Sequence, residues 1–269
     1  MIVIYTFDFK QFEASRNTEY MMLAVSIQSV LESDSTVTIL LYTSDDELRR
    51  RIKNDFPSVQ IRYRDKEAYC ETKFFTCAGH ARIATIKDVL YEFRDDVLYM
   101  DNDTVVYPNG INNFKLEKYP MGYAKETWNL IGGWFGNNEC YKIETARLYG
   151  EEMLSNAIIN NGIQYFPYNS QSLEIAADIS DLYKYLLDTC GYYYGLDMAV
   201  FSIVMYDHQL QNQLCFKNRV SETAWHTYMY KFKYTENLFK VGVVVDENGY
   251  IHGHEMIYDK LKRASIHGI

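Results

Sequence analysis

Four short apolar runs recur along the first hundred residues, each separated from the next by a stretch of helical periodicity. The runs are Ile2–Thr6, 36–42 (TVTILLY), 59–63 and Val97–Met100. They are too short for helices, and residues 36–42 are nearly continuously apolar, as strands buried on both faces are. Between them, residues 18–31 place Tyr20, Leu23, Ala24, Ile27 and Val30 or Leu31 on one side of a helix. Residues 45–55 open with Asp45-Asp46-Glu47 and carry Arg49-Arg50-Arg51 and Lys53 in their second half. Acids at the start and bases toward the end suit a helix dipole, and the basic run reads as a solvated face. A third helix is expected over Ala78–Phe93. Strand and helix in strict alternation predict an α/β domain with a mostly parallel central sheet flanked by helices. Such sheets take ligands outside the carboxyl ends of their strands. Thr6, Phe7, Asp8, Thr43 and residues 101–103 would all gather there.

The fourth run ends in Asp101-Asn102-Asp103-Thr104-Val105. Two carboxylates at the end of a buried strand are costly unless something compensates them, and a divalent cation does so well. Asp-Asn-Asp is also good turn chemistry, so a plain acidic turn is the bland alternative. A third reading is a resemblance to the haloacid-dehalogenase-like phosphatases. They too place two aspartates two positions apart after an apolar strand, and use the first as a nucleophile. They usually carry this pair on the first strand and need a second acidic pair later. Here the only candidate for that pair, Asp246-Glu247, is followed by the hairpin signal Asn248-Gly249.

The order and spacing of the motifs resemble the DxD nucleotide-sugar glycosyltransferases of the GT-A (Rossmann-like) fold, the family that includes glycogenin and the bacterial lipooligosaccharide galactosyltransferases. The resemblance runs from Ile2 to Lys260 and is closest over residues 1–110. It implies a metal-dependent enzyme that moves a sugar from a UDP-linked donor to a hydroxyl of a glycan, lipid-linked sugar or protein. By that resemblance Thr6 and Asp8 lie against the nucleoside, Arg82 approaches the donor from its helix, and Asp101, Asn102 and Asp103 meet the diphosphate. Asp101 and Asp103 would hold Mn²⁺ or Mg²⁺, with His254 as third ligand and His252 as its competitor. Lys260, six residues beyond His254, would meet the diphosphate, although Ile257 stands where the family has an intervening glycine. Ile131-Gly132-Gly133-Trp134-Phe135-Gly136-Asn137 resembles the Asn-x-Gly strand that lines the sugar pocket, which makes Gly133 a donor contact. Asp197, in Gly195-Leu196-Asp197-Met198, resembles the acid that opens a helix beside the sugar. The retaining relatives follow that acid with Gln. Met198 departs from this and turns the expectation toward an inverting reaction with Asp197 as base. The alternatives are the phosphatase and a nucleotide-sugar-binding module without catalysis. A nucleotidyltransferase would need a glycine-rich basic loop after the first strand, and Phe7-Asp8-Phe9-Lys10-Gln11 is not one.

The second half is less regular. Short strands are expected at 122–124 and 134–135, helices over 139–155, 170–187 and 198–206, and a hairpin over 240–252. No Pro- or Ser-rich linker divides the 269 residues, so a single domain is expected. Within it, residues 1–110 would form the nucleotide-sugar half and 111–269 the acceptor half with a closing C-terminal segment. A net charge of −9 argues against a nucleic-acid partner. The 25 tyrosines suit carbohydrate surfaces, but most must serve the core. The N-terminus has no signal-peptide pattern and no segment is long enough to span a bilayer, which reads as a cytoplasmic protein. Five scattered cysteines (Cys70, Cys77, Cys140, Cys190, Cys215) lack metal spacing and are expected as free, mostly buried thiols.

Overall fold

The computed structural model describes residues 1–8, 13–63, 78–102, 104–106, 110–214, 224–226, 244–245 and 251–252. The first half alternates as the apolar pattern dictates: β1 (Ile2–Thr6), α1 (Glu13–Ser33), β2 (Thr38–Thr43), α2 (Asp46–Asp55), β3 (Gln60–Tyr63), α3 (Ala78–Phe93) and β4 (Val97–Met100). Asp45 starts α2 by accepting from the amides of Glu47 and Leu48 at 2.9 and 3.0 Å, which satisfies two otherwise orphaned donors. There follow β5 (Thr104–Val106), α4 (Gly110–Phe114), β6 (Met121–Leu130), α5 (Ile131–Trp134), α6 (Glu139–Tyr149), a 3₁₀ turn over Glu151–Ser155, and β7 (Ala157–Phe166). The last elements are α7 (Ser170–Cys190), α8 (Leu196–Asp207), β8 (Ala224–His226), β9 (Val244–Val245) and β10 (Ile251–His252).

One six-stranded sheet, in the order β3-β2-β1-β4-β7-β6, organises the chain. The first four strands are parallel, whereas β7 runs antiparallel to β4 and to β6. Alternate side chains point to opposite faces, so each strand feeds two cores. Ile2, Ile4, Val97 and Tyr99 pack with Ile83, Ile86 and Leu90 of α3 and with apolar residues of α7 and α8. Val3, Tyr5, Leu98 and Met100 pack with Tyr20, Leu23 and Ile27 of α1, Leu48 and Ile52 of α2, and Phe114 of α4. The result is a helix–sheet–helix sandwich with β1 and β4 at its centre.

Several expectations need correction. Residues 122–124 belong to the ten-residue β6, and Trp134-Phe135 is not a strand: Ile131–Trp134 is a helical turn. The helix expected over 139–155 stops at Gly150, whose φ of 89° is left-handed territory open to glycine, and then continues as the 3₁₀ turn. The strand β7 was not foreseen. Cys140 and Cys190 are not free thiols; their sulfurs are bonded at 1.99 Å, joining the start of α6 to the end of α7. Cys70, Cys77 and Cys215 lie outside the described residues. The antiparallel pairing of β9 with β10 agrees with the expected hairpin, while its Asn248-Gly249 turn lies outside the described residues. Among the described residues no helix is long and apolar enough to cross a membrane.

Candidate active site

Parallel pairing of β1 with β4 brings Thr6 and Asp101 to the same end of the sheet. The two are linked through Tyr99, whose hydroxyl lies 3.0 Å from Thr6 Oγ1 and donates to Asp101 Oδ1 at 3.0 Å. Thr6 therefore donates to Tyr99, and a short relay of hydroxyls ends on the carboxylate. Burial, with some help from the negative charge of Asp101, pushes the Tyr99 phenol up and keeps it protonated as that donor. Beyond β4 the chain turns sharply: the Thr104 hydroxyl donates to the Asp101 carbonyl at 2.6 Å, and half-buried Asn102 sits in the turn.

Arg82 enters from α3 and is only 6% exposed. Its Nη2 donates to Asp101 Oδ1 at 2.6 Å, its Nη1 donates to the Asn161 carbonyl at 3.0 Å, and Nη1 also lies 3.3 Å from Asp197 Oδ2. The guanidinium is stacked over the Tyr99 ring, with its carbon 4.5 Å from the centroid. Burial would lower its pKa, but Asp101, Tyr99 and Asp197 outweigh that and push it up, so the cation is permanent. Nε of Arg82 is buried and has no hydrogen-bond partner among the described residues. One cation thus separates two carboxylates that arrive from β4 and α8.

Asp197 sits in the first turn of α8, where a negative charge suits the helix dipole. Its Oδ2 also accepts from Asn161 Nδ2 at 3.0 Å. The entry to α8 is built around Gly195, at φ 80°, because a Cβ there would lie 2.8 Å from the Trp134 indole. That indole donates to the Gly195 carbonyl at 2.9 Å. The preceding loop is tied down as well: Tyr141 donates to the Gly191 carbonyl and Tyr193 to the Trp134 carbonyl. Phe135, Tyr141 and Tyr193 pack ring on ring behind it. The Cys140–Cys190 bond fastens its near end.

Asp8 is buried at the end of β1. Its Oδ1 accepts from Thr43 Oγ1 and the Ser44 amide at 2.6 and 2.7 Å, and its Oδ2 accepts from Ser44 Oγ at 2.9 Å. In this structure the carboxylate clasps the ends of β1 and β2 together. Gly133 is exposed in the α5 turn, where a Cβ would meet nothing within 4 Å, so no close protein approach requires glycine there. The pocket strand expected at 131–137 is not a strand. The strand beside β4 is β7, and Asn160-Asn161-Gly162 stands level with its end, the Gly162 carbonyl accepting from the Asp101 amide at 2.8 Å. These three residues have the Asn-x-Gly spacing, inside the apolar run Ile158-Ile159 to Ile163, and that spacing was the signal available in the sequence. Asp103, His254 and Lys260 lie outside the described residues, and His252 is described only as part of β10.

The donor set bears on a metal in two ways. Asp101 brings a carboxylate whose side chain is 24% exposed, a hard oxygen donor of the kind Mg²⁺ and Mn²⁺ take. Its Oδ1 already carries Arg82 and Tyr99. Among the described residues no three His, Cys, Asp or Glu side chains gather closely enough to hold an ion. A metal centre here would be completed by residues beyond those described.

No family model matches the sequence, and a search of curated proteins finds no significant match. Solved structures do match. The chain has the GT-A glycosyltransferase fold. It aligns with the bifunctional glycosyltransferase WbbM in its apo form at a TM-score of 0.51 and 17% identity, covering 97% of this chain and 44% of that one. It aligns with the galactosyltransferase LgtC, solved with donor and acceptor sugar analogues, at 0.50 and 11% identity, covering 98% and 96%. Apo GlyE of Streptococcus pneumoniae TIGR4 aligns at 0.50 and 14%, covering 97% and 59%. The chain therefore spans less than half of WbbM and nearly the whole of LgtC. At these identities the likeness is one of fold.

Proposed function

We propose that the protein is a metal-dependent glycosyltransferase that moves a sugar from a UDP-linked donor to a hydroxyl of a glycan, lipid-linked sugar or protein. The observation that carries this reading is the buried Arg82 guanidinium held between Asp101 and Asp197 at the carboxyl end of β4, in a sheet of GT-A topology. Two carboxylates outweigh the one guanidinium, so this cluster suits a divalent cation, and the diphosphate of a sugar nucleotide is a ligand that such an ion would bring in. The solved complex of LgtC with donor and acceptor sugar analogues supports the same use of this fold.

In the proposed reaction Thr6 and Asp8 border the nucleoside side. Arg82, Asn102 and Lys260 meet the donor's phosphates, with Gly133 on the sugar side. Asp101 and Asp103, with His254 or His252, would hold Mn²⁺ or Mg²⁺, which when bound offsets the charge on the departing nucleoside diphosphate. Asp197 takes the proton of the acceptor hydroxyl as its oxygen bonds to the anomeric carbon. The bond from that carbon to the phosphate oxygen breaks, and the electron pair leaves with the nucleoside diphosphate. Attack opposite the leaving group inverts the anomeric centre.

The test is a panel of nucleotide sugars incubated with the protein and Mn²⁺, scoring release of nucleoside diphosphate with and without EDTA. Release from a UDP-sugar that EDTA abolishes is expected. Neither hydrolysis nor binding across the panel would end the transferase reading, and binding without turnover would leave a sugar-nucleotide-binding module. Asp197→Asn is expected to lower turnover by about 10²–10⁴-fold, to a small residual rate, with donor binding retained; intact turnover would reject Asp197 as the base.

A further inference from the structure

Asn161 touches both members of the Arg82–Asp197 pair. It is 5% exposed, on β7. Its main-chain carbonyl accepts from Arg82 Nη1 at 3.0 Å and from Gln164 Nε2 at 3.1 Å. Its side chain donates to Asp197 Oδ2 at 3.0 Å. An ionised carboxylate only accepts, so the amide nitrogen must be the end turned toward Asp197. The strand around it is equally fixed: Asn160 Oδ1 accepts from the Gly162 amide at 2.9 Å, and the Gly162 carbonyl holds the Asp101 amide.

The contacts on Asp197 are one-sided. Arg82 and Asn161 both grip Oδ2, and among the described residues Oδ1 carries no recorded bond. The Asn161 hydrogen bond fixes the rotation of the carboxylate, the Arg82 ion pair falls on the same oxygen, and the other oxygen is left for a substrate proton. Arg82 alone would not do this, since its guanidinium is shared with Asp101 and with a carbonyl.

We infer that Asn161 is a positioning residue for the transfer reaction, holding Asp197 Oδ2 so that Oδ1 faces the acceptor hydroxyl. This rests on the proposed role of Asp197 as base. A misplaced base costs about tenfold to a hundredfold in rate even when the ligands still bind.

The test is a double-mutant cycle on the full chain, using the UDP-sugar that proves active with Mn²⁺. Asn161→Ala is expected to lower kcat at least tenfold with donor KM changed less than threefold. In an Asp197→Asn background the same substitution is expected to leave the residual rate unchanged. Thermal unfolding is recorded for each variant, and Asn161→Leu, close to asparagine in shape, replaces Asn161→Ala should the latter not fold. A full additional loss in the Asp197→Asn background overturns the inference, as does an unchanged kcat in a folded variant. A raised donor KM at constant kcat also overturns it, since Asn161 would then be a donor contact. An inactive wild type removes the transferase reading and this inference together, whereas additive losses in an active enzyme remove only this one.

Discussion

Breaking the Cys140–Cys190 bond should cost a large and calculable part of the protein's stability. The bond closes a loop with a sequence separation of 50 residues, which contains the 3₁₀ turn, β7 and α7. In the chain-entropy account, a cross-link of that span removes about 4 kcal/mol of conformational freedom from the unfolded state at 25 °C. For a chain of this size each kcal/mol moves the unfolding midpoint by roughly 2–4 °C. Cys140→Ser is therefore expected to lower Tm by about 8–16 °C. Wild-type protein held in a phosphine reductant should show the same fall, and the variant should not respond to the reductant. The assay is calorimetry or tyrosine fluorescence at fixed pH, paired with thiol titration in denaturant without reductant. Since two of the five cysteines are bonded, at most three thiols should react. Five reactive thiols, or a midpoint that neither reductant nor substitution moves, would refute the reasoning.

Replacing Arg82 by Met leaves Asp101 and Asp197 facing each other without a cation; both are partly exposed, so a loss of about 2–3 kcal/mol is expected, read by urea unfolding. Arg82→Lys should recover part of this but not donor binding, because an ammonium cannot fork to two carboxylates and a carbonyl. Gly195→Ala puts a methyl 2.8 Å from the Trp134 ring at a φ of 80° and should cost about 1–3 kcal/mol while shifting Asp197, so thermal stability and turnover should fall together. Burial raises the phenol of Tyr141 from the usual 10.0 to about 12, and burial raises Tyr5, Tyr20, Tyr99 and Tyr165 in the same direction. The folded state thus holds protons that the unfolded state releases. That stability is fully present below pH 10, and for Tyr141 it is lost as pH rises from 10 to about 12. Tyrosinate absorbance against pH should show these phenols titrating late or only on unfolding; full titration near pH 10 in folded protein would contradict it.

The parallel half of the sheet was readable because β1, β2 and β4 are short, mostly apolar runs, while β3 at the edge alternates apolar and polar residues. The ends of Ala78–Phe93 and Val97–Met100 fall where the sequence places them. Arg82, Asp101, Thr6 and Asp197 come together as a consequence, since a parallel sheet sends all its carboxyl ends one way. The strand β7 was hidden because Asn160-Asn161-Gly162 reads as turn chemistry. Polar residues inside a strand are tolerable only when bonded, and the partners, Asp197 and Arg82, are remote in sequence. Trp134-Phe135 has strand propensity, but its placement is decided by the Gly195 carbonyl and the rings of Tyr141 and Tyr193, which no local pattern announces. The cysteine pair carries no motif either; it needs the start of α6 and the end of α7 to meet.

The antiparallel seam between β4 and β7 also decides how the chain can be divided. Val97, Leu98 and Met100 are fully buried and Tyr99 nearly so, with β1 on one side and β7 on the other. A fragment ending near residue 110 would keep β1 and lose β7, turning the most apolar strand of the sheet into an open edge. Such edges recruit foreign strands. The same cut would strip Arg82 of Asn161 and Asp197. Along the sequence the donor-side and acceptor-side halves look separable, yet expressing the first alone should yield an aggregating fragment, and split or permuted versions should be cut elsewhere than between β4 and β7.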